Sequence, residues 1–359
     1  MRAIVWTGNL EVHDDVEIRP PADREVVVRI VRAGLCHSDV SVINGTIPFP
    51  TPVVLGHEGA GIVEEVGRGV TSVSPGDHVV LTTLGNCGQC EACDRGRPTR
   101  CRQAVGGGIG AGRFQVGGTD AFQFANAGVF SQRTVVWETQ CVAIDHRVPL
   151  EAACLIGCAV LTGTGAVLNR AQVQPGQTVA VIGAGGIGQS VIQGARLSSA
   201  RRIVVIDANP AKEAAARQMG DTDFIDASST EDTVAAVREL GLPNGVDYAF
   251  ECVGHPALIR QAIDMLDWGG ACVMLGVPKL GAEASFVVNT MYNDKSIMGC
   301  RYGSARPHFD IPLVVDFYLN GRFLLDEMVS QVYDLGNLEA ALSDLEAGKL
   351  NRAVLAVTD

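Results

Sequence analysis

The stretch TVAVIGAGGIGQSVIQGARLSSARRIVVID, residues 178–207, reads as a buried strand, a glycine turn, an amphipathic helix and a second strand. Gly183, Gly185 and Gly188 satisfy the pattern G-x-G-x-x-G, with Gly186 and Ile187 inside the turn. The pattern alone is weak. Here a strand leads into it, a helix leaves it, and the next strand ends in Asp207, nineteen residues after Gly188. That context makes it a dinucleotide fingerprint. The glycines permit a tight turn, close approach of a pyrophosphate and close helix–strand packing. The helix N-terminus offers unpaired N–H groups to an anion. Asp207 can accept hydrogen bonds from both adenosine ribose hydroxyls and would repel a 2′-phosphate. No arginine follows it directly, so NAD is favoured over NADP.

Outward from this stretch the chain divides in character. After Pro149, PLEAACLIGCAVLTGTGAVLNRA reads as helices broken by glycines, and strand-like and helix-like segments alternate through GVDYAFECVG and GGACVMLGV. Such alternation predicts a parallel sheet covered by helices on both faces. Before Pro149 the signals are short and β-like: EVVVRIVRAGLC, GAGIVEEVG and SPGDHVVL, with no long helical pattern. The glycine-rich segment between Arg102 and Val129 reads as a long loop. The C-terminal part reads as helix, loop, helix, strand. With 359 residues the chain has room for two domains.

The net charge of −12 argues against a nucleic-acid partner. The N-terminal MRAIVWTGNLEVHDD lacks the apolar core of a signal peptide, and no uninterrupted apolar run approaches the length of a membrane span. The expectation is a soluble, cytoplasmic protein without a membrane partner. In a reducing compartment, clustered cysteines point to metal or catalysis rather than disulfides. The count of eleven is odd, so they cannot all pair with one another.

Four of the cysteines, Cys87, Cys90, Cys93 and Cys101, fall within fifteen residues as C-x2-C-x2-C-x7-C. Others are scattered: GLCHSD supplies Cys36, His37, Ser38 and Asp39, LGHEGAG supplies His57 and Glu58, and CLIGC supplies Cys154 and Cys158. A Cys, a His and a second Cys would give zinc three ligands and leave the open position that catalytic zinc requires. Each piece alone is weak, because a buried cysteine is more often a small hydrophobe than a ligand.

Taken together and in this order, GLCHSD, GHEGAGIVEEVG, the four-cysteine loop, CLIGC and GAGGIG resemble the zinc-dependent alcohol dehydrogenases of the medium-chain dehydrogenase/reductase family. The resemblance covers nearly the whole chain. It implies a GroES-like, β-rich catalytic domain over residues 1–157 and 303–359, and a Rossmann cofactor domain over 158–302. It further implies catalytic zinc on Cys36, His57 and Cys158, with Asp39 hydrogen-bonded to His57 and Glu58 behind the metal, while Cys154 is a packed thiol. Cys87, Cys90, Cys93 and Cys101 would close a structural tetrathiolate zinc site, giving two zinc ions per chain. Ser38 would take the alcohol proton. Thr162 and Ile187 would pack near the nicotinamide, and Arg352 would pair with the cofactor pyrophosphate. Lys212, five residues beyond Asp207, is placed to reach the adenosine ribose. The reaction implied is reversible oxidation of a primary or secondary alcohol, with hydride passing to NAD.

Two positions depart from the family's pattern. His37 stands where an arginine often grips the pyrophosphate, so a grip there would weaken as the imidazole loses its proton. Ser41 stands where a relay histidine is frequent, and serine holds no proton at neutral pH. Thr83 replaces an aromatic common near the substrate. With Phe124 as a second lining residue, this suggests room for bulky or aromatic alcohols. Competing expectations are a dehydrogenase of hydroxymethyl adducts of a small thiol, which requires a basic pocket, a nicotinoprotein that keeps its NAD, and a cofactor-binding structural protein without activity. The resemblance implies a homodimer or homotetramer, associated through residues near Val273 to Arg301.

Overall fold

The computed structural model describes residues 1–104 and 112–359. They form two compact units, Met1–Cys158 with Ala305–Asp359, and Ala159–Ser304. The divisions fall after Cys158 and after Ser304, slightly later in the chain than the expected 157 and 302.

In the second unit six strands form one sheet, all parallel: Thr178–Ile182, Arg202–Asp207, Asp223–Asp226, Val246–Glu251, Leu266–Met274 and Ser296–Gly299. Counted in chain order their spatial order is 3-2-1-4-5-6. Every residue of the central strand Thr178–Ile182 is buried, as its continuous apolar run requires of a strand covered on both faces. The turn after it feeds the helix Gly186–Leu197. The chain passes itself so closely there that a Cβ on Gly188 would lie 1.8 Å from the Gly183 carbonyl oxygen.

The first unit is built around the strand Glu25–Leu35. It pairs antiparallel with Glu58–Val66, Arg133–Trp137 and Arg352–Ala356. The C-terminal strand thereby returns to the same end of the sheet as Cys36. The buried apolar residues of these strands share one cluster with Leu338, Ala341 and Leu345 of the helix Leu338–Glu346.

Two sequence expectations change. The segment 102–129 is not one long loop: Phe114–Val116 and Thr119–Gln123 form an antiparallel hairpin, closed by Gly117 and Gly118 at positive φ. The flanking glycines hid a two-residue turn signal. Residues 105–111 of the expected loop lie outside the described residues. Residues 150–171, expected as separate helices, form one helical passage with π-turns at Ile156–Val160 and Ala166–Ala171. By length and composition it could cross a membrane, but its apolar window is 83% buried inside the protein, as in a core helix.

One acidic group in the second unit is held at a disadvantage. Neither carboxylate oxygen of Asp221 has a hydrogen-bond partner, and Arg217 is 3.5 Å away. Burial pushes its pKa up to about 6 from an ordinary 3.8, with Arg217 opposing and Glu213 and Asp223 reinforcing the rise. Since the folded value lies above the unfolded one, this contribution to stability is whole below 3.8 and is lost as pH rises through about 6. Asp221→Asn should therefore raise Tm at pH 8 and leave it unchanged at about pH 3.5. A lower Tm for the variant at pH 8 would show that the Arg217 pair outweighs burial.

Candidate metal and cofactor sites

Strand register assembles the scattered donors. Gly34 lies opposite Glu58, and Ala353 opposite Leu35, so Cys36, His57, Glu58 and Arg352 reach one end of the sheet. Cys36 caps the seven-residue helix His37–Ile43, which is too short for its periodicity to be read from sequence. Asp39, at the third position of that helix, reaches back to accept the Cys36 N–H at 3.1 Å, as in a capping box. Its other oxygen accepts the Gly56 N–H at 3.1 Å and lies 3.3 Å from His57 Nδ1. Asp39 is fully buried. Cys158 comes from the π-helical turn Ile156–Val160.

One ligand atom each from Cys36, His57, Glu58 and Cys158 lies within 4.8 Å of the others. Two thiols, an imidazole and a carboxylate at this spacing fit a tetrahedral zinc. Hydrogen bonding from Cys158 holds Cys36 well below the usual thiol range and holds Cys158 well above it. Burial opposes a charged His57, but Asp39 and Cys36 outweigh it and push the imidazole up to about 10. Metal binding must then displace protons. Cys154, also buried, donates instead to the Glu151 carbonyl and stands outside the set.

Glu58 lies closer to the donors than expected, because its carboxylate is one of the four clustered ligand groups. Arg352, expected on the cofactor pyrophosphate, is buried in the first unit and its guanidinium is paired with Glu58. The residue placing this pair, Gly34, went unnoticed in the sequence. A Cβ there would meet Glu58 Oε2 at 2.4 Å, so a side chain would displace the carboxylate. Its signal was the glycine immediately before Leu35-Cys36 in a strand otherwise rich in β-branched residues.

Around the set, Ser38 Oγ lies 3.8 Å from Cys36 Sγ. His37 is exposed at the start of its helix, and Ser41 lies further along it. The Phe124 ring stands edge-on to His57, centroids 5.3 Å apart, and Phe49 stands edge-on to Phe124 at 5.4 Å. Thr83, partly buried, follows the strand His78–Leu81, whose Leu81 pairs with Gly59.

The second cluster, Cys87, Cys90, Cys93 and Cys101, also has its sulfurs within 4.8 Å of one another. Cys90 and Cys93 sulfurs are 3.6 Å apart, and those of Cys87 and Cys101 3.7 Å. The local helix Glu91–Asp94 buries no side chain. Burial would raise Cys101, but N–H groups of Cys87, Ala104 and Gln103 bring it down to about 6. Four sulfurs suit a closed structural zinc with no open position.

In the second unit the helix Gly186–Leu197 begins at Gly185 without a side-chain cap, leaving N–H groups for an anion. Asp207 accepts the Ala184 N–H at 2.7 Å, which ties the end of its strand to the glycine turn, and Lys212 Nζ is 3.4 Å from the same oxygen. Thr162 is buried, and Ile187 lies in the first turn of the helix after the glycines.

The chain matches two known domains in tandem: the alcohol dehydrogenase GroES-like domain over residues 22–146 and the zinc-binding dehydrogenase domain over 186–320. It is 38% identical to an S-(hydroxymethyl)glutathione dehydrogenase of Synechocystis sp., across 95% of each chain. Among solved structures it is similar to an alcohol dehydrogenase zinc-binding domain protein from Burkholderia ambifaria, at 36% identity and TM-score 0.94, covering 100% of this chain and 99% of that one. It is also similar to benzyl alcohol dehydrogenase from Acinetobacter calcoaceticus, at 32% identity and TM-score 0.92 over 99% of each chain.

Asp39→Asn should test the construction of the scattered set. An amide keeps one acceptor but turns an NH2 group toward an N–H it formerly accepted. Zinc held by Cys36, His57 and Cys158 should become about 10–100-fold easier to remove, while the four-cysteine zinc stays. Chelator competition with elemental zinc counts reads this directly. Unchanged retention at both sites would show that Asp39 does not support the ligands.

Proposed function

Because the chain belongs to the zinc-binding, NAD-dependent alcohol dehydrogenases of the medium-chain dehydrogenase/reductase family, we propose that it oxidises apolar primary or secondary alcohols of aromatic size, reversibly, to aldehydes or ketones. The observation carrying this reading is the convergence of Cys36, His57, Cys158 and Glu58 within 4.8 Å, walled by the ring of Phe124.

Zinc on Cys36, His57 and Cys158 supplies a Lewis acid that lowers the pKa of an alcohol. The glycine turn, with Asp207 at the ribose, would hold NAD, which would supply the hydride acceptor. The remaining work falls to this chain's residues. Asp39 accepts from His57 Nδ1 and so turns Nε2 toward the metal. Glu58, balanced by Arg352, keeps a carboxylate beside the ligands. Ser38 Oγ would accept the alcohol's proton while passing its own hydroxyl proton onward. Ser41 is not a terminal base, so the proton's onward route runs through water or His37. Phe124 and Phe49 present apolar edges and exclude water from the reacting carbon.

The thiol-adduct reading rests on a different observation, the S-(hydroxymethyl)glutathione dehydrogenase names of relatives at 37–38% identity. Oxidation of benzyl alcohol set against oxidation of formaldehyde mixed with glutathione separates the two. Retention of NAD(H) through gel filtration would identify a nicotinoprotein. We further propose a homo-oligomer formed through the cofactor unit. Among the described residues the strand Ser296–Gly299 ends its sheet with one edge unpaired, and Leu280, Val288 and Tyr292 nearby in the chain are exposed. A molar mass of one chain by light scattering would remove this proposal.

Purified protein should carry about two zinc ions per chain. Cys158→Ala should lose one zinc and the activity while remaining folded, whereas Cys93→Ala should lose the other and lower Tm, because metal binding there is folding energy. If Cys93→Ala left both quantities unchanged, the four-cysteine assignment would be wrong.

NAD should be strongly preferred to NADP, and Asp207→Ser combined with Ala208→Arg should narrow or invert that preference. Equal kinetics of the wild type with both cofactors would remove Asp207 from the ribose.

A further inference from the structure

Gln140 closes the short 3-10 turn Glu138–Gln140 and is fully buried. Its carboxamide is engaged at both ends. Nε2 donates to the carbonyls of Thr82 and Asn126, each at 3.0 Å, and Oε1 accepts the Trp137 N–H at 3.2 Å. The Thr82 N–H in turn donates to the Gln140 carbonyl at 2.9 Å. One side chain thus bridges two segments that are distant in sequence. The first ends in Thr83, and the second carries Phe124.

The Phe124 segment needs such a bridge. Ala125 and Asn126 have φ of 50° and 60°, a left-handed conformation that residues with a Cβ adopt at a cost. The upstream side of this turn is held by Gln123, buried, whose Nε2 donates to the carbonyls of Ala127 and Val135 and to Thr134 Oγ1. Arg113 in turn donates to Gln123 Oε1 at 2.9 Å. The Asn126 carbonyl is held by Gln140. Beside it lies a cavity of about 220 Å3, bordered by Gly85, Asn126 and Trp137. A turn strained in this way has room to relax once its clamp is removed.

We propose that Gln140 is a positioning residue that sets the distance between the Thr83 segment and the Phe124 ring, and thereby the size of alcohol that the site selects. This rests on the reading that Thr83 and Phe124 line the substrate pocket. Gln140 does not touch the metal set. It acts through the backbone on the ring that stands against His57. Removing its two donors strips the buried Thr82 carbonyl and the partly buried Asn126 carbonyl of their partner, and the strained turn then relaxes toward the cavity. The ring edge moves with it, so a ligand that packs on that edge loses more than one too small to reach it.

The test compares benzyl alcohol with ethanol in zinc-loaded wild type, Gln140→Met and Phe124→Ala. The expected result for Gln140→Met is an about tenfold fall in the ratio of kcat/KM for benzyl alcohol to that for ethanol, carried mainly by KM. A folded, zinc-replete Gln140→Met whose ratio matches the wild type overturns the proposal. So does an equal loss on both alcohols through kcat, which is what a purely structural strut would produce. Phe124→Ala separates the two levels of the argument. If it shifts the ratio and Gln140→Met does not, only the positioning role falls. If neither shifts it, the pocket reading falls, and the proposal with it. Gln140→Glu covers the case in which Gln140→Met fails to fold. A protonated glutamic acid still donates one hydrogen bond, whereas an ionised one faces two carbonyls. The substrate ratio of Gln140→Glu should therefore decline as pH rises while that of the wild type stays level, and parallel profiles would count against the proposal.

Discussion

One buried carboxylate ties together the segments that carry Cys36 and His57. Asp39 accepts the N–H groups of Cys36 and Gly56 and contacts His57 Nδ1, so the end of one strand, the start of a helix and the chain before the next strand are fixed to the same two oxygens. A charged group with no exposure to water is tolerable only when its acceptors are filled, and each buried N–H left without a partner would cost about 1–3 kcal/mol. Removing the carboxylate would therefore disturb the donors' positions before it disturbed their chemistry. The same economy appears opposite it, where Glu58 is balanced by Arg352 and accommodated by the missing side chain of Gly34. The metal set is thus held between two buried carboxylates, one compensated by N–H groups and the other by a guanidinium.

The two metal-binding clusters solve different problems. Residues 87–104 contribute no member to the unit's main apolar cluster, and their only α-helical turn buries nothing. A segment of that kind cannot hold its shape by hydrophobic burial, and four thiolates on one ion replace the core it lacks. The scattered set is drawn from the ends of packed strands and the helical turns beside them, so its placement rests on the unit's own core.

How much was legible depended on range. The glycine turn, its helix and Asp207 lie within thirty consecutive residues and read directly as strand, turn, helix and strand. The long apolar strand Glu25–Leu35 and the four-cysteine spacing are local in the same sense. The hairpin at Phe114–Gln123 was also local, but its Gly-Gly turn was lost among other glycines. The helical passage 150–171 was misread as fragments because its glycines, which break isolated helices, are tolerated where the helix is enclosed.

Sequence alone determined the class of fold, the dinucleotide turn and the types of residue able to hold metal, because period, spacing and side-chain chemistry are properties of neighbours along the chain. Tertiary structure alone decided that Arg352 belongs with Glu58, that Gly34 makes room for that pair, and that Gln140 joins the Thr82 and Asn126 carbonyls. These partners are brought together by strand register and by a return of the chain from its far end. A one-residue slip would reverse every inward side chain, so no local pattern encodes the meeting. An arginine in a terminal strand and a glutamine after a tryptophan look like surface residues until the sheet closes over them.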